Sequence, residues 1–253
     1  MPIYDQQGHT YAFVRRSRLP GDFQDFGGIE ELGATIALSR LIHPTTMGLR
    51  WAARVSMVNG VVKRILAFQP RGIAVDAFCS KAIERDWLTQ EDGDQLKRLM
   101  GYITSREPMH KRVHNAYWHH EYAIRTYYVD HRWVFVCTGL EALVHSNGTG
   151  TTGQFISRVA TLAKREGISF TGNELATAYS LRSELVHGGQ FLSDQQARLT
   201  AEQIDLYDRL EETLRRVLLR AFEDKSFAAN FADGRSIDTF MPMPPLKKKK
   251  PNS

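Results

Sequence analysis

Between Lys111 and Phe222 the chain repeats one device, an amphipathic stretch opened by a threonine with Glu or Gln three places on. Thr151-x-x-Gln154, Thr171-x-x-Glu174 and Thr200-x-x-Gln203 each have this form. In such a capping box the hydroxyl accepts a bond from the third backbone N–H while the longer side chain returns one, so each phrase marks a helix start. Two more apolar-periodic stretches precede them, at about 111–128 and 131–145. In the last stretch Tyr207, Leu210, Leu214, Val217, Leu218 and Phe222 form one stripe, with Arg209, Glu212, Arg215 and Arg216 largely off it. Four or five such helices on short loops, without a strand pattern among them, predict a mainly α fold, an antiparallel helical bundle over residues 108–225.

The flanks are harder to read. Residues 1–107 read as a mostly helical extension of unknown role. Ile29, Leu32, Ile36 and Leu41 suggest a short helix ending before Pro44, Gly72 to Trp87 another, and Thr89 caps a third that runs to Tyr102. The segment Met47–Phe68 carries two signals. Asn59-Gly60 between Val55 and Ile65 marks a hairpin, while Leu49, Ala53, Met57 and Val61 stand at helical spacing, and helix is the reading adopted. Residues 226–253, ending Pro244-Pro245-Leu246 and four lysines, read as a Pro/Lys-rich tail.

Composition sets the class. The 253 residues are 42% hydrophobic and 24% charged, ordinary for a globular chain, so disorder is not expected. Net charge is +5 and pI about 9.2, which leans toward a polyanionic partner. Cys79 and Cys137 sit among apolar neighbours and read as free thiols of a reducing compartment. Neither a membrane span nor a signal peptide is evident, so a cytoplasmic protein is expected.

One phrase carries chemistry: Tyr179-Ser-Leu-Arg182-Ser183-Glu184-Leu185-Val186-His187-Gly188-Gly189. Leu175, Ala178, Leu181 and Leu185 lead a helix toward the glycines, where Gly188 can adopt the left-handed closing conformation. Arginine offers a charged planar fork for phosphate oxygens, and histidine moves protons near neutral pH. Five helical positions turn about 140°, so Arg182 and His187 are not stacked. They meet over one ligand only at the fraying helix end or across two copies. On the helix before, Trp133, Val136, Cys137, Leu140, Leu143 and Val144 make a buried stripe, and Glu141 lies on its flank. Glu141 is either a solvated glutamate or a carboxylate that pairs with Arg182.

The phrase resembles the signature of HEPN domains, and more narrowly the Apea-like HEPN group with its Tyr-x-Leu-Arg-Ser-x-x-Val-His-Gly pattern. Gly139-Leu140-Glu141-Ala142-Leu143 resembles that group's second helix and Phe155-Ile156-Ser157-Arg158-Val159-Ala160 its third, so the resemblance spans residues ~110–222. It implies a HEPN-type bundle and a metal-independent endoribonuclease without cofactors, in which a ribose 2′-hydroxyl attacks the adjacent phosphorus. Arg182 and His187 would be catalytic and Glu141, Ser183 and Tyr179 supporting. It also implies a homodimer with a composite cleft, a microbial toxin or antiviral-defence role, and room for a regulatory protein partner. Serine directly after the arginine fits this narrower pattern but departs from HEPN members elsewhere, which often carry a more polar residue there. The competing reading is a non-catalytic HEPN module for RNA binding or assembly. A toxin paired with a nucleotidyltransferase is disfavoured, because Gly189 stands where those members carry tyrosine.

Other features rank lower. Arg158, Lys164 and Arg165 are candidates for lining an RNA backbone groove. His110, His114, His119 and His120 read as a solvated or RNA-facing surface rather than a zinc site, and no metal is expected. Trp118, Tyr122, Tyr127, Tyr128 and Trp133 read as core aromatics rather than base-stacking ones.

Overall fold

The computed structural model describes residues 3–5, 8–10, 27–44, 51–59, 61–70, 89–104, 109–126, 128–187 and 200–243. The readings at 72–87, Cys79, Tyr127, Gly188, Gly189 and Lys247 to Lys250 lie outside them. The chain divides into two compact units, residues 1–38 with 48–74 and residues 39–47 with 75–253.

The first unit holds two antiparallel hairpins, β1 (Ile3–Asp5) with β2 (Gly8–Thr10) and β3 (Trp51–Val58) with β4 (Val61–Pro70), and most of α1 (Gly27–Ile42). The second hairpin corrects the helical reading of 47–68. Asn59 sits at φ 52°, the left-handed conformation asparagine tolerates. The β-branched residues Val55, Val58, Val61, Val62 and Ile65 pair across it, with register shifts at Arg54/Val55 and Ser56/Met57. The turn signal outweighed a period of four that strands also satisfy.

The second unit is helical. After α2 (Gln90–Thr104) come α3 (Lys111–Arg125), α4 (Val129–Val144), α5 (Thr151–Arg165), α6 (Gly172–Val186), α7 (Ala201–Glu223), α8 (Lys225–Ala229) and α9 (Gly234–Phe240). Its core is Trp133, Val136, Leu140, Phe155, Leu162, Leu175, Leu210, Leu214 and Leu218, none more than 1% exposed. The Trp133 indole donates to Ala178 O at 3.1 Å and so pins α4 to α6. Gly139 is needed where α3, α4 and α7 cross, because a Cβ there would meet Leu214 Cδ2 at 2.7 Å and Ala116 O at 3.3 Å.

Contacts fix direction. Arg112 with Ala142 and His145, and His119 with Phe135, make α3 and α4 antiparallel. Trp133 with Ala178 and Glu141 with Arg182 make α4 and α6 parallel, and Trp133 with Tyr207 and Gly139 with Leu214 do the same for α4 and α7. Strict up-down alternation therefore breaks between α6 and α7.

Capping boxes form at Thr171 and Thr200. Their hydroxyls accept from Glu174 N and Gln203 N at 3.2 Å, and their own N–H groups donate back at 2.6 and 2.9 Å. The third expected box does not form. Gly150, at φ 61°, caps α5. Gln154 turns instead to the preceding loop, accepting from Ser146 N at 2.8 Å and donating to Thr149 O at 2.6 Å.

Two boundaries move. α2 belongs with the helical unit, where Gln95 donates to Glu223 at 2.6 Å, although it lies within 1–107. Residues 226–243 are not tail: Phe227, Phe231, Ile237 and Met241 are buried, and Asp224 and Asp233 cap α8 and α9. None of the described helices is long and apolar enough to cross a membrane.

Candidate functional site

The last two turns of α6 place the singled-out residues. Arg182 donates to Glu141 Oε2 at 2.6 Å, a link between helices that lie 41 positions apart in sequence. The guanidinium side chain is 20% exposed and the carboxylate 10%, so the pair sits at the margin of the core. Tyr179 also hydrogen-bonds Glu141, and its ring packs on Phe155 at 5.0 Å. Glu141 of α4 therefore holds the arginine, and Tyr179, packed on α5, holds Glu141. Burial raises the Glu141 carboxyl above its usual range, and Arg182 and Tyr179 only partly offset this. The same burial pushes the neighbouring Cys137 thiol far up, which makes it inert.

Part of the Arg182 guanidinium is closed to any external ligand. Its Nε is buried and has no hydrogen-bond partner, and a guanidinium has five N–H donors.

His187 stands one residue beyond α6, as its C-cap, with its N–H donating to Ser183 O at 3.1 Å. The residue is exposed. Its ring makes no hydrogen bond or ion pair with any described residue. The structure thus brings Arg182, Glu141 and Tyr179 together and leaves His187 about 140° around the helix from Arg182. Ser183 is half-buried beside them and supplies a backbone carbonyl to the cap.

A second imidazole, missed in the sequence, lies within reach of the guanidinium's charge. His145, the C-cap of α4, is four residues after Glu141, and its N–H donates to Glu141 O at 3.0 Å. Burial lowers its pKa first, and the charges of Arg182, Arg112 and Arg158 add to that. A bond between Nε2 and Thr151 O at 3.2 Å opposes it. Only the helix-ending position flagged it in the sequence.

The proposed backbone-groove cations do not assemble. Arg158 is a structural residue, 1% exposed. It donates to Val144 O at 2.7 Å, Met241 O at 3.0 Å and Gln154 Oε1 at 3.0 Å, and pairs with Asp238. Lys164 and Arg165 are exposed but close α5 at its far end, about 14 Å of helix rise beyond Phe155. The Arg165 guanidinium lies over the Phe240 ring at 4.1 Å.

The histidines scatter. His120 is fully buried and bonds Glu211 at 2.8 Å, while His114 accepts from the Trp118 indole at 3.0 Å. Among the described residues no cluster of three His, Cys, Asp or Glu is placed to hold a metal ion. Compared with known proteins, the chain matches no family model, no curated protein and no solved structure.

Proposed function

We propose that this chain is a HEPN-type endoribonuclease whose site is Arg182 and His187. The observation that carries the reading is the Arg182–Glu141 pair at 2.6 Å, a guanidinium held at the bundle's margin five residues before an exposed histidine. Glu141, itself held by Tyr179, fixes one edge of the fork, and the arginine side chain stays 20% exposed at the margin, where a phosphate oxygen can reach it.

In the proposed reaction an imidazole takes the proton of the ribose 2′-hydroxyl and O2′ attacks the adjacent phosphorus. The P–O5′ bond breaks, and O5′ leaves with a proton. A 2′,3′-cyclic phosphate remains on one fragment and a 5′-hydroxyl on the other. Arg182 stabilises the charge that develops on the phosphoryl oxygens, and His187 handles protons. The turn of about 140° between the two residues favours a cleft shared by two copies, with Arg182 from one facing His187 of the other. The activity proposed fits a toxin or antiviral-defence effector in the cytoplasm, with residues 1–107 available for a regulatory protein.

One observation favours a second reading. Arg182 is four-fifths covered and already engaged by a carboxylate, as it would be in a HEPN bundle that only binds RNA or assembles. Incubating the purified chain with structured RNA in EDTA separates the two. The nuclease reading expects cyclic-phosphate ends from wild type and at least ~100-fold fewer from Arg182→Ala or His187→Ala, the scale set by one general acid–base or charge-stabilising group. RNA that is bound equally by all three and cut by none favours the module.

A further inference from the structure

Three aromatic rings expected in the core lie on the surface instead. Trp118 is 42% exposed, Tyr122 50% and Tyr128 51%, while Trp133 alone of the described set is fully buried. His114, Trp118 and Tyr122 stand four apart on α3. Their neighbouring ring centroids are 6.1 Å apart, close to the ~6 Å rise of four helical residues. Phe135 of α4 continues the row, 5.7 Å from Tyr122. The indole is fixed by its bond to His114 Nε2.

Charge singles out the same face. The described stretch 109–150 contains three acids, Glu121, Asp130 and Glu141, and all are buried. Glu121 is held by Arg40 at 2.7 Å and Glu141 by Arg182. The exposed charges there are Lys111 and Arg125, at the two ends of α3. An exposed aromatic row on a helix pair without one exposed carboxylate repels an acidic side chain nowhere along its length. Two copies of this face would set cation against cation. A strand with flat π faces and a negative backbone matches both features.

We infer that the His114–Trp118–Tyr122 row is a stacking platform for single-stranded RNA, with Lys111 and Arg125 contacting phosphates. The inference rests on the reading above for its choice of RNA. The platform lies in line with the site: α3 begins where Arg112 donates to Ala142 O at 3.1 Å and His145 O at 2.7 Å, immediately after Glu141. A strand stacked along α3 is thereby led to the end of the bundle that holds Arg182.

The test is fluorescence anisotropy with a labelled 2′-O-methyl oligouridine of about twelve nucleotides, which binds without being cut. Trp118→Ala and Tyr122→Ala should each weaken binding by about tenfold or more, with the salt dependence unchanged. Arg125→Gln should lower the salt slope by about one. Trp118→Phe should retain most of the affinity yet remove the quenching of indole emission on binding, which separates lost stacking from lost folding. Wild-type affinity in every variant, no binding by wild type, or a dimer that Trp118→Ala converts to monomer would each overturn the platform. Retained stacking without cleavage of ordinary RNA would sink the nuclease reading alone.

Discussion

Replacing Arg182 by methionine leaves Glu141 facing a margin it was not built to occupy alone. Losing one partner of a fully buried ion pair costs roughly 3–5 kcal/mol. Here the side chains are 20% and 10% exposed, so water screens part of that and about 1–3 kcal/mol is expected. At ~2–4 °C per kcal/mol for a chain of this size, the melting temperature should fall by roughly 2–12 °C at pH 7. The loss should shrink on acidification. Burial already raises the Glu141 carboxyl in the presence of Arg182, and removing that cation raises it further. A carboxyl with a raised folded-state pKa binds its proton more tightly folded than unfolded. Stability is therefore regained as pH falls from the folded value toward the unfolded ~4.5. Adding Glu141→Gln should return most of the loss, since removing both partners leaves no orphaned charge. Thermal melts followed by circular dichroism from pH 7.5 to 4.5 measure all three variants. An Arg182→Met deficit that neither acid nor Glu141→Gln reduces would refute the pairing.

Further outcomes follow from the same contacts. Arg209 and Thr171 hold the Glu174 carboxyl down to about 2, so its contribution is complete above the unfolded ~4.5 and lost as pH falls toward 2; Arg209→Ala should flatten that part of a stability profile read by melts between pH 5 and 2. Arg158→Met should lower the melting temperature by roughly 5 °C or more, because it orphans buried carbonyls of Val144 and Met241 and frees Asp238, with the loss measured by calorimetry. Gly234→Ala should loosen residues 234–243, since a Cβ there would run into Ser146 O, and hydrogen exchange should speed up in α9 and around Met241 while α6 is unchanged. In mixtures of Arg182→Ala and His187→Ala chains, a shared cleft should restore RNA cleavage through the one intact site of each mixed dimer, whereas sites within single chains would restore none.

The bundle was readable because its helices announce themselves locally. Thr171 and Thr200 carry the capping phrase, and the apolar stripes of α4 and α7 repeat at 3.6. Glu141 could be matched with Arg182 because a carboxylate on the flank of a buried stripe needs a cation, and α6 offered one. The misreadings have equally local causes. Gln154 could satisfy either the helix start or the loop carbonyls, and the glycine-rich loop decided. Leu49, Ala53, Met57 and Val61 fit a helix until Asn59 turned the chain. Phe227, Phe231 and Ile237 were hidden in polar composition, and α9 reaches Arg158 some 80 positions back, which no local pattern records. Exposure of Trp118 and Tyr122 follows from which face of α3 meets α4, and spacing alone is blind to that.

The most direct measurement is cleavage of a defined RNA in which a single ribose, at the bond the enzyme cuts, carries hydrogen in place of its 2′-hydroxyl. Attack by that hydroxyl requires that cutting at this bond stop while cutting at unmodified sites continues, in EDTA and only with Arg182 and His187 intact. Undiminished cutting at the deoxy position would contradict the account, because the nucleophile would then have come from elsewhere.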